Sequence, residues 1–283
     1  MNSIAKTFVK KSSGDIVPFE QEKLIASLRR SGASQALIEE VLKEVEAILV
    51  DGVSTKEIYK SAFSVLKRRA KHTAAKYKLK KAILELGPSG YPFEKFVAEI
   101  LKYQGFKTQT GVWVKGHCIS HEVDVIAELD HQHFMVECKF HITFSRHCDV
   151  KVPLYINSRF KDIEKEYQKR EEHRQKFHQG WIFTNTRFTS DAIQYGKCAG
   201  LQLIGWDFPK SGSLKERIDL AGLHPITCLS SMSKKEIQLL LEKQVVLCRQ
   251  LKQNPKSLDS LGISERKKKA ILKEVQDICE LKQ

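Results

Sequence analysis

Asp124, Glu137 and Lys139 stand in the stretch HEVDVIAELDHQHFMVECKF (residues 121–140), which otherwise reads as two buried β-strands. Charges inside a sheet are costly unless they are paired or hold a cation. Side chains alternate along a strand. Phe134, Val136, Cys138 and Phe140 therefore share one face, and Met135, Glu137 and Lys139 share the other. In the strand before, Val123, Val125 and Ala127 oppose Asp124 and Ile126. A short loop over residues 129–132 pairs Glu128 with His133 and brings Asp124 directly across from Glu137, at the ~5 Å of a cross-strand pair. Facing like charges destabilise, and Lys139 neutralises only one of them. Two carboxylates with the Cys138 carbonyl make a hard-oxygen site suited to Mg²⁺ or Mn²⁺. Such an ion would activate a water against a phosphodiester. Lys139, partly buried beside a cation, is expected to have a depressed pKa and to orient or deprotonate that water. The alternative is a salt-bridged Asp/Lys/Glu cluster on a solvent-facing edge.

The whole chain fits a partner of that kind. Its 283 residues carry 48 Lys and Arg against 34 Asp and Glu, a formal charge of +14, which points to a polyanion such as nucleic acid. Arg146, Lys151 and Arg159 are candidate phosphate contacts. Seven scattered cysteines form no CxxC pair, so a disulfide framework is not expected and a reducing cytoplasm is. His117, Cys118 and His121 lie close together, but no second pair follows at zinc-ligand spacing. There is no run of 18 apolar residues and no signal-type apolar core in MNSIAKTFVKK, so no membrane insertion is expected.

Three segments must position these residues. In the first, residues 1–88, two short strands flank a turn at Ser12-Ser13-Gly14. Amphipathic helices follow in EKLIASLRRSG, in ASQALIEEVLKEVEAILV, in VSTKEIYKSAFSVLKRRA (capped at Ser54 or Thr55), and in the basic HTAAKYKLKKAILEL. The second, residues 89–209, opens after the breaker GPSGYP with a helix striped by Phe93, Phe96, Val97, Ile100 and Leu101. Strands VWVKG, HEVDVIAEL and HFMVECKF come next, then a charged helix DIEKEYQKREEHRQKF, strand GWIFTNT, helix SDAIQYGKCAG and strand LQLIGWD. That alternation fits an α/β sheet. The third, residues 210–283, is helical and basic, with one long helix in SKKEIQLLLEKQVVLCRQL and a helix–Gly turn–helix in SLDSLGISERKKKAILKEVQDI. The fold class is thus a multidomain α+β and α/β protein.

Two of these segments resemble known families. GYPFEKFVAEILKYQGF, HEVDVIAE, MVECKF and GWIFTNTRFTSDAIQYGKCAGLQLIGWD resemble, in order, the opening helix, Asp strand, ExK strand and closing strand–helix–strand of Mrr-type restriction-endonuclease-like nucleases. The resemblance implies Asp124 and Glu137 as metal ligands, Lys139 as the catalytic lysine and Glu94 as an additional acid, with DNA as substrate. FVKKSSGDIVPFEQEKLIASLRRSG, VSTKEIYKSAFSVLKRR and AAKYKLKKAI resemble the ATP-cone domain of ribonucleotide reductases and their repressor. This implies ATP or dATP as a regulatory ligand, with Lys10, Lys11 and Lys23 converging on its phosphates and Thr55 nearby. Tyr59 stands where that family sometimes has a histidine. The tail is similar to a helix-hairpin-helix but lacks its second glycine, so a plain helical cap with solvated Arg266, Lys267, Lys268 and Lys269, or a self-association surface, stays open. The implied function is a nucleotide-regulated, metal-dependent DNA endonuclease. The alternative is a nucleotide-responsive DNA-binding protein without cleavage.

Overall fold

A computed structural model describes residues 7–11, 14–168 and 177–279. Strands β1 (Phe8–Lys10) and β2 (Ile16–Pro18) pair antiparallel as the expected hairpin; Ser12 and Ser13 of its turn lie outside the described residues. Helices α1 (Gln21–Arg30), α2 (Gln35–Glu46) and α3 (Thr55–Arg69) bury Leu28, Ile38, Val41 and Leu66 against one another in a core of their own. Ser54 caps α3: its hydroxyl accepts from Glu57 N–H while the Glu57 carboxylate accepts from Ser54 N–H. Thr55 is therefore the first helical residue and not the cap.

The basic helix expected next is two, α4 (Lys71–Tyr77) and α5 (Leu79–Leu84). At the break, Lys78 donates its ammonium to the Thr227 carbonyl at 2.7 Å, and Thr227 donates its hydroxyl to the Ala82 carbonyl. The C-terminal segment thus grips the chain at this break.

Helix α6 (Tyr91–Tyr103) starts with Pro92 in its first turn and buries the expected stripe. Five strands follow in a mixed sheet of order β3-β4-β5-β7-β9: β3 (Lys107–Lys115), β4 (Ser120–Leu129), β5 (Gln132–Lys139), β7 (Phe177–Thr184) and β9 (Gln202–Ile204). The first three run antiparallel and the last two join parallel. The pairing Glu128↔His133 is the expected register. A second ladder, β6 (His147–Cys148) beside β8 (Arg187–Phe188), has no periodic signal at two residues per strand.

Helix α7 runs Lys151–Tyr167, not from residue 162 as its charge pattern implied. Pro153 fits in its first turn, and Ile156, Phe160 and Ile163 bury one stripe. Residues 169–176 of the expected helix lie outside the described ones. α7 and α8 (Ser190–Cys198) cover one face of the sheet, packing on Met135 and Ile182. α6 covers the other, packing on Val125, Val136 and Phe183.

The C-terminal segment shares that second core. Helix α9 (Leu214–Ala221), unforeseen in the sequence, places Leu214 and Ile218 in it. The single long helix expected beyond residue 232 is α10 (Lys234–Glu242) and α11 (Cys248–Gln253). Between them Gln244 takes φ +60°, and the chain bridges back: Ile226 N–H donates to the Val246 carbonyl and Cys248 N–H to the His224 carbonyl. Helical periodicity lost here to backbone pairing with a segment twenty residues earlier. A 3-10 helix (Pro255–Leu261), Gly262 at φ +63° and α12 (Glu265–Cys279) complete the chain. Left-handed backbone at that turn suits glycine. Buried Leu79, Ala82 and Ile83 of α5 sit in the same cluster as Phe93, Val136, Leu240 and Ile271, so cone, sheet and tail are packed together.

Candidate active site

The β4–β5 ladder runs from Leu129↔Gln132 to Val125↔Val136 and ends there, with Asp124 the next residue of β4. The alternation expected of the strand breaks at Asp124, since Val125 and Ala127 pack in one core and Val123 in the other. Cys138 N–H donates to Asp124 Oδ2 at 2.7 Å. Glu137, its side chain 5% exposed, is held from both sides: Lys139 Nζ donates to Oε1 at 2.6 Å and Arg159 Nη1 to Oε2 at 2.7 Å. Arg159 also donates to the Glu122 carbonyl. Thr184 donates its hydroxyl to the Lys139 carbonyl, tying β5 to β7 beside the site. From α6, Glu94 reaches the same end of β5: a side chain at Gly90 would meet Glu94 Oε1 at 3.5 Å and the Phe140 Cβ at 4.0 Å. Phe93 packs on Phe140 with centroids 5.6 Å apart and fixes that approach.

Three carboxylates facing two cations leave the acids under mutual pressure. Burial and the Glu137 charge push Asp124 up to about 7, against the pull of the Cys138 amide. Burial, with Glu122 and Glu137, pushes Glu94 up as well. Lys139 goes the other way from the sequence expectation. Burial pulls its ammonium down, but the charge and hydrogen bond of Glu137, with Asp124, outweigh that and raise it. Lys139 is therefore a proton-bearing donor and not a depressed base.

Among the described residues no three or more His, Cys, Asp or Glu side chains are grouped as a metal site. The donor chemistry nevertheless suits a divalent ion. Asp124 and Glu137 offer hard oxygens, and the raised Asp124 and Glu94 mark acid charge that a cation would relieve. The zinc-like trio is a turn instead: Asp162 accepts from the Cys118 amide at 2.8 Å and contacts His121 Nε2 at 2.8 Å.

Arg159 is the residue that sequence reasoning misplaced. It was a candidate phosphate contact, and it is buried against Glu137. The signal was there: Arg159 follows Ile156 by three and precedes Ile163 by four, inside the apolar stripe of α7. Lys151 and Arg146 are exposed. In the tail, Lys267 pairs with Glu236 at 2.6 Å and Lys268 with Asp259, so these two are ion-paired and not simply solvated.

Lys10 and Lys11 are exposed on the hairpin, Lys23 is exposed and pairs with Glu20 at 2.6 Å, and Thr55 lines a cavity that none of these three lysines lines. Among the described residues no helix is long and apolar enough to cross a membrane.

Comparison with known proteins agrees with this division. Residues 7–83 match the ATP cone domain, residues 87–207 a restriction endonuclease domain of the Mrr catalytic type, and residues 224–279 the AF1548-like C-terminal domain. An uncharacterized protein of Archaeoglobus fulgidus is 34% identical over 183 residues, covering 64% of this chain and 99% of its own. The crystal structure of AF1548, a protein of unknown function, matches with a TM-score of 0.56 at 33% identity, over 68% of this chain and 98% of that one.

Proposed function

We propose that this chain, which belongs to the AF1548-like family and joins an ATP cone to an Mrr-type restriction-endonuclease domain, is a divalent-metal-dependent DNA endonuclease under nucleotide control. The observation that supports the reading is the cluster of Asp124 and Glu137 beside the end of the β4–β5 ladder, with Lys139 bonded to Glu137 and Glu94 close enough to act on both acids. Asp124 and Glu137 would hold Mg²⁺ or Mn²⁺, which when bound supplies charge neutralisation at the phosphate and a more acidic water. Lys139, kept protonated, orients Glu137 and offers its remaining N–H donors to a non-bridging phosphate oxygen. Arg159 fixes the Glu137 carboxylate from behind and is a positioning residue. Glu94, its carboxylate made more basic by burial and the neighbouring acids, can take up the proton released by the attacking water. The formal charge of +14 supplies a general attraction for a polyanion.

A second reading is a nucleotide-responsive DNA-binding protein that does not cleave. It is favoured by one observation: both Glu137 oxygens are already committed to Lys139 and Arg159. Nicking of supercoiled plasmid with Mg²⁺ or Mn²⁺, with and without ATP or dATP, separates the two. Metal-dependent nicking abolished by Lys139→Ala supports the nuclease; DNA binding without nicking on duplex, branched and single-stranded substrates supports the binding protein.

A further inference from the structure

The elements that build the active site also carry exposed aromatic rings. Trp113 on β3 is 68% exposed, Tyr155 on α7 59% and Tyr91 on α6 45%. Each is tied to the site by a contact. Tyr155 lies one turn before Arg159, whose guanidinium carbon is 5.5 Å from the ring centroid and whose Nη1 holds Glu137. Trp113 stands directly across the β3–β4 ladder from Glu122, and the Glu122 carbonyl accepts from the same Arg159. Tyr91 precedes Glu94 by three residues on α6 and has Lys95 Nζ 5.2 Å from its ring. Val112 and Val114, which flank Trp113 on β3, pack in the core beneath α7, so by alternation Trp113 faces the α6 side. Trp113 and Tyr155 thus flank the site from the two faces of the sheet. A lone exposed apolar side chain is ordinary, but three rings gathered around one charged site mark a binding surface.

Positive charge accompanies the rings. Lys151, exposed at the start of α7, is one turn before Tyr155. Exposed Arg146 stands near His141: burial, then Arg146 and Lys139, hold that imidazole below the usual histidine range. The chain carrying His141 is fixed, since its amide donates to Asn185 Oδ1 and its carbonyl accepts from Asn185 Nδ2. Cations that follow a backbone and rings that receive bases are the two requirements for holding a single strand. In an intact duplex each base is paired and covered by its neighbours, so its face is closed to a side chain such as Trp113. An unpaired nucleotide offers that face.

We propose that the strand cut at this site is unpaired around the scissile phosphate, as in single-stranded DNA or the single-stranded arm of a branched DNA, with its bases stacked on Trp113 to one side and Tyr155 to the other. Arg146 and Lys151 take phosphates on the way in. The inference rests on the reading of the site as a DNA nuclease and names its substrate class. The rings lie on α6, β3 and α7, the elements that also hold Glu94, Glu122 and Arg159, so a strand stacked on them crosses the acids.

The test is binding of a labelled thymidylate oligomer and of a blunt duplex of equal length to the full chain, read by anisotropy in EDTA so that nothing is cleaved. Wild type is compared with Trp113→Ala, Tyr155→Ala and, as a control, Tyr103→Ala, each first checked for wild-type melting. Tyr103 is exposed at the far end of α6, beneath Arg249. The oligomer should bind more tightly than the duplex, with affinity about tenfold weaker in Trp113→Ala and in Tyr155→Ala and unchanged in Tyr103→Ala. Trp113→Phe, which keeps a ring, should recover most of the loss. Tryptophan emission is the second measurement: quenching by the oligomer should survive Trp206→Phe and vanish in Trp113→Phe. Oligomer affinity unaltered in both ring variants, or a preference for the duplex, overturns the inference, and metal-dependent plasmid nicking would leave the nuclease standing. A uridylate oligomer bound more tightly than the thymidylate, with the same losses, overturns DNA in favour of RNA. A wild type that neither binds nor nicks sinks both readings.

Discussion

Two clusters of charge in this molecule are handled in opposite ways. At the end of β5, Glu137 has each carboxylate oxygen matched by its own cation, Lys139 on one side and Arg159 on the other. In the cavity between the ATP-cone segment and the rest of the chain, six cations line a wall that offers the carboxylate of Asp219. Asp219 is itself pushed up to about 6, chiefly by burial. The first arrangement is complete within the protein and so fixes geometry in advance of any substrate. The second stands open to water. A buried charge such as Glu137 needs a partner from the fold, whereas the mostly exposed lysines of the cavity wall keep water as theirs.

That contrast can be broken experimentally, and the largest effect lies at the paired site. Glu137→Gln removes the charge that orders Lys139, and plasmid nicking should fall by about 10²–10³, read as initial rates under saturating Mn²⁺. Arg159→Ala is next. It leaves Glu137 Oε2 buried without its cation, so denaturant unfolding should show a loss of roughly 3–5 kcal/mol. If Arg159→Ala melts like wild type, the pair is not what orders Glu137. The double change Arg159→Met with Glu137→Met should recover most of that loss, since well-packed apolar groups replace a buried pair nearly neutrally.

Asp124 gives the pH dependence. Its folded pKa of about 7 lies above the ordinary carboxylate value of ~3.9, so the folded state holds a proton that the unfolded chain has released. The stability from that proton is present below pH ~4 and lost as pH rises towards 7. Asp124→Asn should therefore stabilise the protein at pH 8, by roughly 2–4 kcal/mol, and flatten the pH 4–7 slope of its melting curve. His224 slopes the opposite way. Burial holds it down at about 3, so its contribution is lost as pH falls below ~6.5 and the unfolded chain takes up a proton. Mn²⁺ should raise the melting temperature of wild type and not of Asp124→Asn. The smallest effect belongs to the cavity wall: Lys215→Gln should stabilise by a few tenths of a kcal/mol, and added salt should erase the difference.

Much of the active site was legible because strand alternation and hairpin register are local. Glu137 and the strands that carry it and Asp124 follow from a period of two and a short loop, and Glu128↔His133 confirms the register up to the break at Asp124. The α6 stripe was equally plain. The errors share a cause. Helix α7 begins earlier than its charge pattern implies, because the charged half hides the stripe Ile156, Phe160 and Ile163. The α10–α11 segment keeps a helical period, yet the chain turns at Gln244 to bond with residues 224–226. Burial and a neighbouring cation imply a depressed Lys139, but the 2.6 Å bond to Glu137, which raises it, has no signature in the local sequence.

What the sequence by itself determined is whatever depends on neighbours within about ten residues: the strand pair, the acids it carries, the helix stripes, a cap at Ser54 or Thr55 and the excess of positive charge. What only the tertiary structure decided is which distant group meets each charge. Arg159 reaches Glu137 across 22 residues, Lys78 reaches Thr227 across 149, and Lys80 and Phe144 meet at the cone's edge. Burial makes such meetings consequential, since a charge withdrawn from water takes its pKa and its role from the few groups left beside it. No local pattern encodes which groups those will be.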